Sequence, residues 1–257
     1  MLGKSFEDKV VLITGDVGGI GQAGAKEFFD NGASVVLVDL NEDALKQVAE
    51  NLGSYKFHTI KGDVTDEESV KNYVAETVEK FDNIDVFFNN AGINGPFKNI
   101  KDLDKKEFDM IMNIKTTGVF LGMKYIIRQR VQQGYGSIVN TASNAAYIGS
   151  AEMAGYIASK HAVAGLTKTA AAEVTGDDIR VNAVAPAAID TDMLSDIQNN
   201  LSPDEPEKSG EPIKQGLPFG RFGTPEEVAK VVAFLASDDA KFVTGSLYNV
   251  DGGVQAD

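Results

Sequence analysis

The stretch "VVLITGDVGGIG", residues 10–21, runs an apolar strand directly into a turn that carries Gly15, Gly18, Gly19 and Gly21. The residues that follow, "GQAGAKEFFDNG", have the spacing of an amphipathic helix. Strand, glycine turn and helix in that order form the setting a phosphate-binding turn needs. In this reading Gly15 lets the chain turn sharply, Gly19 admits close approach of a ligand, and Gly21 lets helix pack on strand. Asp16 and Ile20 belong to the same turn. The helix N-terminus offers free N–H groups and a positive dipole end to a pyrophosphate. A glycine-rich corner alone is weak, so a second sign is needed.

The next strand supplies it. "SVVLVD" ends at Asp39, 18 residues past Gly21, with Leu40 after it. A carboxylate there accepts both hydroxyls of an adenosine ribose and repels a 2′-phosphate. No Arg or Lys lies within 14–21 or 39–41, and Asp16 adds a second negative charge. NAD rather than NADP is the expected cofactor. Asp39 also suits a cap for the helix "NEDALKQ", a role compatible with the first.

Working outward, short apolar runs recur at 9–14, 34–39, 56–63, 84–90, 136–143, 179–186 and 246–250. Several lack polar alternation, as strands buried on both faces do. Amphipathic segments lie between them at about 20–31, 42–52, 66–81, 104–132, 154–175 and 225–236, with start signals at Asp66, Asp104 and Thr224-Pro225. The alternation predicts an α/β fold: one Rossmann-type domain over 1–257, a doubly wound parallel sheet with helices on both faces. Residues 190–223 break the rhythm and hold four of the seven prolines, which predicts a substrate lid.

Composition narrows the function. A net charge of -14 disfavours nucleic acid, anionic membranes and acidic partners, leaving small molecules. With no cysteine and two histidines, neither thiol catalysis nor a zinc site is expected, so no metal is predicted. No apolar run approaches the ~18 residues of a spanning helix, and the start lacks a signal-peptide core, so a cytoplasmic location is expected.

The chemistry gathers further on. Tyr156 and Lys160 stand i and i+4 on one helix and share a face. Ser143 ends the preceding strand, where loops at the carboxyl ends of strands form a ligand crevice. A free tyrosine titrates near ~10. An ammonium ~4 Å away contributes on the order of 4 kcal/mol at an effective dielectric of ~20, which would bring the phenol toward ~7. Ser143 then donates a hydrogen bond where charge develops on a carbonyl or alkoxide oxygen.

Taken together, "TGDVGGIG" (14–21), "GDV" (62–64), "NNAG" (89–92), Asn113, Ser143, "YIASK" (156–160) and "PAAIDT" (186–191) resemble the short-chain dehydrogenase/reductase family, in its NAD(P)-dependent branch. The resemblance implies that Tyr156 is the acid/base, that Lys160 lowers its pKa and holds the nicotinamide ribose, and that Ser143 polarises the substrate oxygen. It implies that Asn113 completes a proton relay through water. Asp63 and Val64 would line the adenine edge, and Asn90, Ala91 and Gly92 the body of the cofactor. Pro186, Ile189 and Thr191 would hold the carboxamide. Ala187 stands where the family usually has glycine, and a positive φ there would cost about 1 kcal/mol. The resemblance also implies a homotetramer, with the helices at 104–132 and 154–175 paired across one interface and "YNVDGG" (248–253) near another.

Ile93, Asn94, Asn144, Tyr147, Met153 and Met193 are the candidate substrate residues. They lack a cluster of cations, which points to a neutral secondary alcohol or ketone, and the resemblance is nearest to enzymes of cyclic ketones and alcohols. An acyl-carrier-protein ketoreductase, with Arg128 and Arg130 as a docking site, is the rival enzyme reading. An NAD-sensing or scaffold protein without catalysis is the rival from another class.

Overall fold

The computed structural model describes residues 5–15, 19–52, 56–202 and 205–256. The predicted alternation is present. It begins β1 (Val10–Thr14), α1 (Gly19–Asp30), β2 (Ser34–Asp39), α2 (Glu42–Leu52), β3 (Phe57–Lys61), α3 (Glu67–Phe81) and β4 (Val86–Asn89). It continues α4 (Lys105–Met112), a π-helical turn (Asn113–Thr117), α5 (Gly118–Gln133), β5 (Gly136–Thr141), α6 (Ala154–Val174) and β6 (Ile179–Pro186). It closes with α7 (Asp192–Leu201), α8 (Pro206–Gln215), α9 (Pro225–Ala236) and β7 (Leu247–Val250).

The strands form one parallel sheet of seven, in the order β3-β2-β1-β4-β5-β6-β7. The order reverses between β1 and β4, which opens a crevice at their carboxyl ends. Pleating sends successive side chains to opposite faces. Leu12 joins a core with Tyr73 of α3, Ile126 of α5 and Val163 of α6. Its neighbours Val11 and Ile13 join the opposite core with Phe28 of α1, Leu45 of α2 and Val232 of α9. Each such side chain contributes roughly 1.5–3 kcal/mol when fully buried, and the absence of polar alternation in the sequence is thereby explained.

Three start signals work as read. Asp66 accepts from Ser69 N at 2.8 Å, the Glu107 carboxylate accepts from Asp104 N at 3.2 Å, and Thr224 accepts from Glu227 N at 3.3 Å.

Two segments differ from expectation. The helix predicted over 104–132 carries a π-helical turn at Asn113–Thr117, between α4 and α5. Within 190–223, where the sequence showed only a break in the rhythm, the described residues include two helices, α7 and α8. Both ends of this excursion are pinned together: Asp190 N donates to Gly223 O at 2.9 Å, and Gly223 N to Ala188 O at 3.0 Å.

Candidate active site

Beneath the crevice lies a buried polar string. Thr14, Asn89 and Asn140 stand in register across β1, β4 and β5. Asn89 Nδ2 donates to Asn140 Oδ1 at 3.1 Å, and Asn140 Nδ2 to Thr167 Oγ1 of α6 at 3.0 Å. Satisfied in this way, the string fixes α6 against the strand ends.

Gly15 ends β1 with φ +75°, and a Cβ there would sit 2.2 Å from Ala91 Cα. Only glycine fits, and the strand-end loops of β1 and β4 therefore touch. Asn90 locks the same corner: its Nδ2 donates to Gly15 O at 3.2 Å, and its Oδ1 accepts from Thr141 Oγ1 at 2.9 Å. Gly19 and Ile20 open α1, and Gly21 is buried within it. Asp16 lies outside the described residues. Asp39 closes β2 with Oδ1 accepting from Asn41 N at 2.9 Å, and Leu40 is exposed beyond it. Asp63 Oδ1 holds Thr65, and Val64 packs on Gly118. This series of strand ends fits a dinucleotide, from an acidic edge at β2 to a cavity beyond β5.

That cavity has a volume of about 400 Å³. Ile20, Asn90 and Gly92 lie at one end; Pro186, Ile189 and Thr191 line the β6 side. Ser143, Tyr156 and Lys160 share its floor. Ser143 Oγ sits between Pro186 O at 3.3 Å and Asn144 Oδ1 at 3.1 Å, and accepts from Ala145 N at 3.2 Å. A hydrogen bond to Ser143 favours ionisation of the Tyr156 phenol, but burial outweighs it and pushes the phenol above its ordinary value.

This corrects the electrostatic expectation. Lys160 Nζ donates to Thr141 O at 2.6 Å and stands 5.7 Å from the centre of the Tyr156 ring. Burial draws Lys160 itself down to about 8. In this structure the phenol is therefore a protonated group.

Asn113 needs a second correction. It is exposed, on the outer side of the π turn, and is absent from the cavity wall. The inward position is Lys115, 2% exposed and on the cavity wall. Its amine lies 4.9 Å from the centre of the Tyr156 ring. The signal was legible: Ile111, Lys115, Val119 and Gly122 form one apolar stripe at helical spacing, and a lysine on such a stripe is out of place.

Of the substrate candidates, Asn144, Met153 and Met193 line the cavity. Ile93, Asn94 and Tyr147 do not; Asn94 Nδ2 instead ties to Met193 O at 2.7 Å, and Tyr147 is largely exposed. Missed were Phe97 in the loop after β4 and Ile157 beside Tyr156 on α6, together with Leu194, Ile197 and Ile213, which the packing of α7 and α8 over the crevice brings there. Ala187 has no positive φ, so no strain attends its replacement of glycine. Arg130 is fully buried, donating to Asp85 O at 2.7 Å and Ser137 O at 3.1 Å, which removes it from any docking surface.

Comparison with known proteins is consistent with this geometry. A family model described as enoyl-(acyl carrier protein) reductase matches residues 15–255. Levodione reductase of Leifsonia aquatica is 41% identical over 98% of this chain and 96% of its own. Its crystal structure superposes with a TM-score of 0.95, covering 98% of this chain and 99% of the other. A 3-oxoacyl-(acyl-carrier-protein) reductase of Thermotoga maritima is 40% identical over 97% of this chain and 98% of its own. The structure of an NAD+-bound xylitol dehydrogenase matches with a TM-score of 0.90 at 35% identity, covering 96% and 99% of the two chains.

Proposed function

The chain belongs to the short-chain dehydrogenase/reductase family, and from that premise we propose that it is an NAD-dependent oxidoreductase interconverting secondary alcohols and ketones. The observation that carries the reading is the convergence of Ser143, Tyr156 and Lys160 on one cavity that reaches the strand ends beside Gly15. NAD, when bound, supplies the hydride transfer. The Asp39 carboxylate at the end of β2 suits the ribose hydroxyls. Asn90, Gly92, Pro186, Ile189 and Thr191 serve its nicotinamide half.

Tyr156 holds the mobile proton at its phenolic oxygen. A buried, protonated phenol is the right species to give that proton to a ketone oxygen as hydride arrives at carbon. Ser143 Oγ donates to the same oxygen and stabilises its growing charge. Lys160 provides the cation that favours the phenolate left behind. Alcohol oxidation runs the same proton in reverse.

Residues 190–223 act as the substrate lid over a one-domain chain. Phe97, Met153, Met193, Leu194, Ile197 and Ile213 give the cavity apolar walls, and the carboxylate on the wall, Glu152, opposes anionic substrates. A neutral, compact ketone or alcohol, cyclic ones included, suits that lining. The protein acts as a homotetramer in the cytoplasm. Phe120 and Val131 on α5 and Tyr248 on edge strand β7 are exposed apolar side chains that a second copy would cover; sedimentation and cell fractionation test these points.

Absorbance at 340 nm with NAD or NADH and a panel of cyclic and open-chain alcohols and ketones tests the activity. NADH binding with no turnover across the panel would favour the sensing role instead. The second enzyme reading, a ketoreductase of acyl carrier substrates, is favoured by the 40% identical relative. A carrier-bound 3-oxoacyl thioester reduced far faster than any free ketone would establish it.

A further inference from the structure

Two buried lysines share the floor of the cavity, and the mechanism above uses only one. Lys115 comes from the π turn and Lys160 from α6, and both amines converge on the Tyr156 ring, at 4.9 Å and 5.7 Å from its centre. The flanking backbone is shaped around Lys115: a Cβ on Gly92 would lie 2.4 Å from its Nζ. Among the described residues no carboxylate lies within 4.0 Å of either amine. Facing groups are few. From α6 come Tyr156 and Lys160; from the loop after β4, uncharged Asn90 and Gly92; from the end of β5, the Thr141 carbonyl and Ser143. Glu152, before α6, is exposed and bonded to Asn99. On α4, Glu107 is paired with Lys98, and Asp109 with Lys105.

Two ammonium ions side by side, buried and without a counterion, repel strongly, so the pair carries one positive charge. Lys160 has the Thr141 carbonyl at 2.6 Å to receive its N–H, whereas among the described residues Lys115 has no hydrogen-bond acceptor within reach. The charge therefore sits on Lys160.

We infer that Lys115 is a positioning residue: an uncharged amine that accepts a hydrogen bond from the Lys160 ammonium and keeps that cation charged and oriented beside Tyr156. This rests on the reading of Lys160 as the cation that serves Tyr156. Burial and the neighbouring Lys160 hold Lys115 well below the ordinary lysine range, in keeping with an amine that is neutral at pH 7.

A lysine buried in neutral form weakens the fold. Its folded state binds fewer protons than the unfolded chain, so the penalty is greatest at low pH and fades as pH rises toward ~10.5. Lys115→Met should therefore melt higher than wild type at pH 6–7, with the gap closing as pH approaches 10. In turnover, Lys115→Met should move the alkaline limb of kcat about one pH unit lower, an approximately tenfold loss on that limb, with KM little changed. Lys115→Gln, which keeps an acceptor, should restore part of that shift. The melting series needs no substrate, so it stands even if the proposed activity fails on every ketone tried. A melting gap that stays constant from pH 6 to 9, or an alkaline limb unmoved in Lys115→Met, overturns the inference. So does a loss of stability or of folding in both variants at pH 7, since the lysine is then a structural strut.

Discussion

The helical run from the π turn through α5 buries a basic side chain at each end, and the two have different surroundings. Arg130, at the amino edge of the sheet, is clamped by the carbonyls of Asp85 and Ser137, with the Asp85 carboxylate nearby. That carboxylate also accepts from Val10 N at 2.8 Å and from Lys9 Nζ at 3.1 Å. A Cβ on Gly136 would collide with the guanidinium at 1.5 Å, so the chain has been left bare to admit it. Lys115, at the carboxyl edge, has another cation as neighbour and no carboxylate. Burial lowers the proton affinity of both, drawing Arg130 down to about 9 despite its carbonyls and the nearby Asp85, while Lys115, beside another amine, is held well below the ordinary lysine range. Arg130 ties strands and helix together; Lys115 lies on the wall of the proposed site.

The contrast can be broken most sharply at Tyr156. Tyr156→Phe keeps the ring and removes the proton, so turnover should fall ~10²–10⁴-fold with little change in melting temperature; retained activity would dismiss the acid/base role. At the other edge, Arg130→Met should lower stability by about 1–3 kcal/mol in urea denaturation, because it removes the buried donors to the Asp85 and Ser137 carbonyls. Its pH–rate profile should keep the wild-type shape. If that profile moves, the two edges are not independent.

The profile itself is the third test. Lys160 is charged below about 8 and neutral above it. Activity that needs the charge should be level below that pH and fall roughly tenfold for each further unit. A bound cofactor's charge shifts the position of the limb, and kcat/KM against pH reads the free enzyme. The smallest effect is expected at the start of α9: Thr224→Ala removes its cap and should cost about 1 kcal/mol, with the pH–rate profile unaltered.

Much of this was legible in the chain. The seven strands were visible because a parallel sheet covered on both faces demands unbroken apolar runs such as "VVLIT" and "SVVLVD". The placing of Ser143, Tyr156 and Lys160 around one cavity was legible because an i, i+4 pair and a strand end are local facts. Asn113 was misread because a motif match was preferred to the apolar stripe on which Lys115 stands. Arg130 was offered as a surface cation although it too ends a buried stripe, with Ile126 one turn before.

Sequence alone determined what depends on neighbours along the chain: strands, helices, caps, the glycine turn and the pairing of Tyr156 with Lys160. Tertiary structure decided what depends on distant segments meeting. It set the roof made by α7 and α8, the bare backbone at Gly92 that admits a second amine, and the carbonyl of Thr141 that claims the Lys160 ammonium. Proton affinities belong to that second class, since desolvation and nearby charge act through space.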